Sequence, residues 1–249
     1  MCDQLDCVRL LCHHGARPDL QDQAGAAALH YAVQADRPDL VTCLLESGAD
    51  TDLRDRLGRT PAMWASSSSS LASLLLLLPR ADLTARDGQS LTCLHSGAAR
   101  GSVECVEALL DHQPDIRDIR DSDGASALFY AASGGQLDCV RLLVERSADV
   151  RLRDSLGRTV LSCALSSNNT QIMDTLKTAG ADLLATTSQG DTILHLAIAR
   201  QLIKMVSWIL TNQPSVINRQ NKAGVTPLHL ASSLNQVRKV LSQSVDQTL

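Results

Sequence analysis

Gln4-Leu5-Asp6-Cys7-Val8-Arg9-Leu10-Leu11 returns letter for letter as Gln136 to Leu143, 132 residues later, which is four steps of 33. A second pair keeps the same register. Leu53-Arg54-Asp55-Arg56-Leu57-Gly58-Arg59-Thr60 recurs with one change as Leu152-Arg153-Asp154-Ser155-Leu156-Gly157-Arg158-Thr159, 99 residues or three steps away. Self-similarity at a fixed period marks a repeat array, in which each unit is one supersecondary element stacked on the next.

Composition sets the bounds around that period. The 249 residues are 44% hydrophobic, yet only five are aromatic: Tyr31, Trp64, Phe129, Tyr130 and Trp208. Ala and Leu must therefore fill thin layers between elements. The formal charge of −4 is spread along the chain without a block of one sign, which argues against a nucleic-acid partner. The longest apolar run, Leu71 to Leu78, is far short of the roughly 20 residues that span a bilayer. Met1-Cys2-Asp3-Gln4 lacks the basic start and apolar stretch of a secretory signal. Cytoplasm is the expected location, with the nucleus as the other candidate, and no membrane insertion is expected.

Aligned on the period, seven copies of one box appear, anchored at Ala27, Thr60, Thr92, Ser126, Thr159, Thr192 and Thr226. The last copy reads Thr226-Pro227-Leu228-His229-Leu230-Ala231, and the sixth reads Thr192-Ile193-Leu194-His195-Leu196-Ala197. An Asp stands five residues before the anchor at Asp22, Asp55, Asp87, Asp121 and Asp154. A Gly stands two before it at Gly25, Gly58, Gly124, Gly157, Gly190 and Gly224. Asp can bond nearby backbone and Gly tolerates positive φ, so these positions spell a turn. The anchor hydroxyl can then cap a helix, and Pro at the first helical position gives up no needed N–H. A second helix shows in the spacing of Val41, Leu44 and Leu45 and of Val140, Leu142, Leu143 and Val144. It closes at Gly48-Ala49-Asp50 and Gly180-Ala181-Asp182, where Gly can take the left-handed conformation. Each unit is then a turn plus a helix pair that must stack on neighbours to bury its apolar face.

The box resembles the T-P-L-H-x-A signature of the ankyrin repeat family, over essentially the whole chain. The resemblance implies an all-α solenoid of stacked helix-turn-helix units joined by hairpin-like loops. Residues 1–249 are expected to form a single array, divided as 1–21 (a partial repeat), 22–54, 55–86, 87–120, 121–153, 154–186, 187–220 and 221–249 (a degenerate C-terminal repeat).

The irregularities carry expectations of their own. Leu5 to Leu11 already matches the second helix, so the first unit lacks its turn and first helix. This suggests that the chain begins inside a longer array, or is a fragment or an alternative start. In that octapeptide Val8, Leu10 and Leu11 are expected in the core with Val140, Leu142 and Leu143, and Cys7 and Cys139 as small buried fillers. A short helix through Val240 and Leu241 is expected in the last unit. Ser66 to Ser70 interrupt the second full unit, and serine costs about 0.5 kcal/mol relative to Ala at each helical position. Residues 60 to 80 are therefore expected to be the weakest layer, able to hinge. Amide exchange as slow there as in residues 121 to 186 would exclude it.

Chemistry-bearing residues follow the repeat and do not cluster. His30, His95, His195 and His229 share the position three after the anchor, where Met63, Phe129 and Ser162 stand in other units. A repeated metal site would not survive those replacements, and local bonds to turn backbone or the neighbouring box are expected. Of the eight cysteines, Cys7, Cys105 and Cys139 share one offset in second helices, and free buried thiols are expected. Gly-Gly occurs at a turn, Gly134-Gly135, and no lysine-bearing phosphate loop is present. Ser162-Cys163 and Glu104-Cys105 lie on scaffold helices without evident partners. No catalytic residue, cofactor or metal is assigned, and no enzyme activity is expected.

What the resemblance implies about function is a binding surface on the concave face, built from the turn tips and the first helices. Its variable positions here give Arg56, Leu57, Arg59, Leu91, Arg100, Leu156, Arg158 and Arg200, with Gln89, Asp123 and Asp191. Arg recognises carboxylates in planar, bidentate fashion, so a protein partner carrying an acidic and apolar segment is expected, the chain itself being a monomer. Trp64 is either an aromatic anchor for that partner or packs against the adjacent first helix. The favoured function is a non-catalytic protein-interaction module, a scaffold or adaptor. The alternative is a targeting or regulatory array of a larger enzyme or ubiquitin-ligase substrate receptor.

Overall fold

A computed structural model describes residues 4–233, and the helix expected through Val240 and Leu241 lies outside them. The chain divides into two compact units, residues 1–149 and 150–249. The first holds α1 (Gln4–His13), α2 (Ala28–Gln34), α3 (Pro38–Glu46), α4 (Pro61–Ser68), α5 (Leu71–Leu77), α6 (Cys93–Arg100), α7 (Val103–His112), α8 (Ala127–Ser133) and α9 (Leu137–Glu145). The second holds α10 (Val160–Ala164), α11 (Thr170–Thr178), α12 (Ile193–Ala199) and α13 (Ile203–Asn212). No extended strand occurs among the described residues. Isolated antiparallel bridges, Arg153 with Thr159 and Thr186 with Thr192, mark the hairpin-like loops. The architecture is the all-α repeat solenoid expected from the period.

The turn grammar does what its residue types allow. One Asp55 carboxylate oxygen accepts from the backbone N–H of Leu57 at 2.9 Å and of Arg59 at 2.8 Å. Asp22, Asp87, Asp121 and Asp154 repeat this pattern on their own turns. Thr187 and Asn221 replace Asp in the last two turns and accept from the same two positions through a hydroxyl and an amide oxygen. Gly58 has φ 79° and Gly157 φ 70°, and Ser90 holds the same conformation at φ 63° where the third box lacks its Gly. Thr60 then accepts from Met63 N–H, with Pro61 opening α4.

The tips of successive turns are tied by backbone bonds that run from layer to layer. Arg56 N–H donates to the Ala24 carbonyl at 3.0 Å and Gly88 N–H to that of Leu57 at 2.8 Å. In the second unit Ser188 N–H donates to Leu156 and Lys222 N–H to Gln189, each at 3.0 Å. The close approach explains why Gly is needed two before the anchor. A Cβ on Gly25 would lie 2.6 Å from the Arg56 nitrogen, and one on Gly157 would lie 2.9 Å from that of Ser188.

Within each unit first helices pack on first helices, with small residues five after the anchor. Ala32, Ala65, Ala131, Ala164 and Ala197 are buried there. Gly97 takes that place in α6, where an added Cβ would stand 3.2 Å from Val106 Cγ2 and 3.6 Å from Ser66 Cβ. Leu29, Leu94, Leu128, Leu161 and Leu194, two after the anchor, complete these layers and are also buried. The serine tract lies inside the first unit. Ser66 is buried and donates to the Ala62 carbonyl, Ser67 donates to that of Trp64, and the Ser69 and Ser102 hydroxyls bond each other at 2.6 Å. Ser69, at φ 59°, ends α4 in the left-handed region.

The repeated octapeptide corrects one expectation. In α9, Leu142 is 9% exposed and Leu143 fully buried, but in α1 the same letters, Leu10 and Leu11, are 62% and 60% exposed. Cys7 is exposed and Val8 half-buried, whereas Cys139 and Val140 are buried. Both copies are helical, so the local signal is the same. The difference is cover: α7 and α8 pack against α9, while α1 packs against α3.

Candidate functional site

In the first unit the candidate residues gather around one buried carboxylate. The second oxygen of Asp55 accepts from Arg59 Nε at 2.8 Å and from the Trp64 indole N–H at 3.0 Å, and the Arg59 guanidinium closes an ion pair at 2.7 Å. Arg59 lies over the Trp64 ring, 4.9 Å from its centroid. The rings of His30 and Tyr31 meet Trp64 edge-on at 5.3 and 5.9 Å. Half-buried Trp64 thus packs against the adjacent first helix, α2, and still presents part of its face. On the Asp55 turn Leu57 is 61% exposed, and Arg56 is exposed at its tip. Asp55 thus ties the turn that carries Arg56 and Leu57 to the Arg59 and Trp64 side chains.

The remaining candidates are placed differently. Leu91 is half-buried, its N–H bound to Asp87. Arg100, exposed at the end of α6, donates from Nε to the Ser67 carbonyl at 3.3 Å. In the second unit Leu156 is exposed, and Arg158 repeats the Arg59 ion pair by donating from Nε to Asp154 at 2.6 Å. Arg200 donates to the Ser166 hydroxyl at 3.0 Å. Arg59 and Arg158 therefore carry their own carboxylates. The Asp five before the anchor serves the Arg side chain as well as the turn backbone.

Sequence reasoning also missed a second set of arginines, six before the anchor. Arg54 donates to the Arg86 carbonyl at 2.6 Å and Arg86 to that of Arg120 at 2.7 Å, with Gln21 starting the ladder on Arg54. In the second unit Arg153 donates to Thr186 at 2.6 Å. The signal was present in the alignment, since Arg recurs at that offset, but it lies outside the signature box.

The histidines behave as expected. His95 Nδ1 accepts from Thr92 N–H at 3.2 Å, and its Nε2–H donates to the Ala125 carbonyl of the next box at 3.2 Å. His30 bridges Ala27 to Arg59, and His195 bridges Thr192 to Val225, in the same way. Each uses both ring nitrogens in the neutral, Nε2-protonated form. Burial holds His30 and His95 below the ordinary imidazole pKa of 6.5, outweighing the carbonyl and Asp neighbours that favour the cation. A depressed His pKa means that the unfolded chain takes up the proton first. The stabilisation is whole above pH 6.5 and is lost as pH falls through that value toward the folded-state pKa. The thermal midpoint is expected to drop between about pH 7.5 and about pH 5.5, and the His30→Gln/His95→Gln chain should show a flatter profile over that window. An equal slope in both chains would remove the histidines as its cause.

Burial opposes ionisation of Asp55, but the Arg59 guanidinium, the Arg59 N–H and the Trp64 indole together hold its carboxyl below the usual range. The thiols move the other way: burial pushes Cys93 up to about 12, and Cys105, Cys139 and Cys163 up to about 11. Such thiols are neutral at physiological pH and poor nucleophiles. Among the described residues no group of three or more His, Cys, Asp or Glu could hold a metal ion, and no helix is long and apolar enough to cross a membrane.

A period of 33, a hairpin-like turn, two antiparallel helices and stacked small-residue faces define the class of helical repeat protein. Family comparison agrees. The family model for ankyrin repeats (3 copies) matches residues 1–87, 73–154, 94–187 and 161–248, and the chain belongs to the ankyrin repeat family. Ankyrin repeat domain-containing protein 63 of Homo sapiens is 38% identical over 109 residues, 41% of this chain and 28% of that protein. Inversin of Gallus gallus is 32% identical over 111 residues, covering 44% of this chain and 10% of inversin. NF-kappa-B inhibitor alpha of Sus scrofa is 33% identical over 105 residues, covering 39% of this chain and 33% of the inhibitor. The matches thus span a third or less of each of these relatives. Repeats of this family serve as protein-interaction modules.

Proposed function

We propose that this chain is a non-catalytic scaffold or adaptor that grips a partner segment with the turn tips and first-helix ends of the first unit. The observation that supports this most is the Asp55 cluster. It holds Trp64 and Arg59 in one conformation and fixes the turn that exposes Leu57 and Arg56, so little side-chain entropy is lost on binding. Aromatic and Arg side chains fixed in this way are typical interface anchors. The partner segment is apolar opposite Trp64 and Leu57 and acidic opposite Arg56. Because Arg59 already has its carboxylate, Arg56 and Arg100 carry the larger part of the charge preference. Leu91 flanks the patch, and Leu156, Arg158 and Arg200 form the corresponding surface of the second unit.

Affinity capture from cytosol with the chain immobilised tests the reading. Arg56→Glu, Arg59→Glu and Arg158→Glu together should reduce recovery of the specific partner by at least about tenfold. Arg56→Glu with Leu57→Ser leaves the Asp55 cluster intact and should do nearly as much. Recovery unchanged in both variants would place the binding surface elsewhere. A second reading is a targeting or regulatory array within a larger enzyme or ubiquitin-ligase receptor. It is favoured by the partial overlap with relatives as long as inversin, of which the match covers 10%.

A further inference from the structure

The octapeptide Leu53 to Thr60 and its twin Leu152 to Thr159, one in each unit, differ in a single letter, Arg56 against Ser155. Their turns are built alike. Leu57 N–H donates to Asp55 at 2.9 Å and Leu156 N–H to Asp154 at 3.0 Å. Each leucine carbonyl accepts from the turn that follows, Leu57 from Gly88 N–H at 2.8 Å and Leu156 from Ser188 N–H at 3.0 Å. With its backbone held on both sides, each leucine keeps its side chain in water, 61% exposed at Leu57 and 55% at Leu156. The other turns carry Ala24, Gln89, Asp123, Gln189 and Ala223 at that place, three before the anchor.

Charge singles out the same two turns. The Asp55 and Asp154 side chains are 2% and 1% exposed and are paired with Arg59 and Arg158. Their charge is hidden, and what faces water is Arg54 and Arg56 on one turn and Arg153 on the other. Residues 21–26, 86–91, 120–125 and 186–191 hold no excess of Lys and Arg over Asp, and the turn at 220–225 has Lys222 but no leucine.

Resting on the docking role proposed for the Asp55 turn, we infer that the Asp154 turn is a second site for the same segment. One chain then takes two copies of an acidic segment that bears a large apolar side chain. At each turn that side chain covers the fixed leucine, removing apolar area from water at little entropic cost, and a carboxylate meets an exposed guanidinium. The two sites differ in strength. Ser155 stands where the first has Arg56, and half-buried Cys163 where it has Trp64, so the second site lacks a cation and an aromatic ring and is the weaker.

The test uses peptides selected from a random heptapeptide library on the immobilised full chain and then titrated calorimetrically. Two peptides should bind per chain. Leu57→Asp and Leu156→Asp, both at exposed positions and checked for an unchanged thermal midpoint, should each leave one, and the double variant none. Ser155→Arg makes the octapeptides identical and should tighten the site that Leu156→Asp removes by about threefold. Unchanged affinity in Ser155→Arg, or one peptide per chain, overturns the inference. If that one peptide is lost in Leu57→Asp alone, the role proposed for the Asp55 turn stands. Peptides indifferent to both leucines, or no peptide at all, overturn the two together. A chain that is dimeric in sedimentation and monomeric in the double variant makes a second copy the occupant and overturns the inference as well.

Discussion

Truncating Leu143 to alanine is expected to cost about 3 kcal/mol, while truncating Leu11, the same letter of the same octapeptide, should cost less than about 1 kcal/mol. Leu143 is fully buried, so its removal loses the transfer free energy of three carbons and opens a cavity that α8 and α9 can only partly close. Leu11 is 60% exposed in the folded chain, so most of its side chain stays in water whether or not the chain is folded. Equilibrium urea denaturation of both variants, with amide exchange read separately over α1 and α9, measures the pair. Stacked repeats respond locally, so the Leu143→Ala loss should appear first in α8 and α9. Costs equal within about 0.5 kcal/mol would mean that helix propensity, which is identical at the two sites, outweighs cover.

Replacing Asp55 with alanine is expected to cost about 2 to 3 kcal/mol, more than Asp22→Ala. The Asp55 carboxylate accepts two backbone N–H groups of its turn, the Arg59 guanidinium and the Trp64 indole, and its side chain is 2% exposed. Alanine strands those donors in a confined place, and a donor left without a partner costs its desolvation in full. Asp22 makes the corresponding turn bonds and accepts from the Tyr31 hydroxyl at 2.5 Å, but in the open, where water replaces the lost acceptor. Asp55→Asn keeps an acceptor for the turn and gives up the ion pair, so it should fall between the two. The Trp64 contribution to fluorescence should shift in Asp55→Ala as the indole loses its bond. Equal losses for Asp22→Ala and Asp55→Ala would remove burial as the reason for the difference.

Most of the fold was legible because the ankyrin box encodes local physics. Asp before a turn, Gly where φ is positive and Thr at a helix start each act within a few residues, and sequence order states those distances directly. The histidine at the third position was legible for the same reason, though its second bond, Nε2–H to the next box, reaches across the period. What was not legible is which partner a side chain takes, near in sequence or one layer away. Arg59 and Arg158, expected to serve the groove, pair with the Asp four residues before them and support their own turns. The Arg54–Arg86–Arg120 ladder joins residues about one repeat apart, and its side chain to carbonyl bonds are set by how one turn stacks on the next. Trp64 needed the position of α2 before its two roles could be combined.

The octapeptide separates the two kinds of information. Its letters determined an amphipathic helix with the same apolar stripe in both places, because periodicity and propensity act along the chain. Whether that stripe lies in a core was decided by tertiary structure alone. Burial is the removal of apolar area from water, and only a neighbouring helix can remove it. Leu143 has α8 packed against its helix and Leu11 stays largely in water, so one sequence yields core in one layer and surface in another.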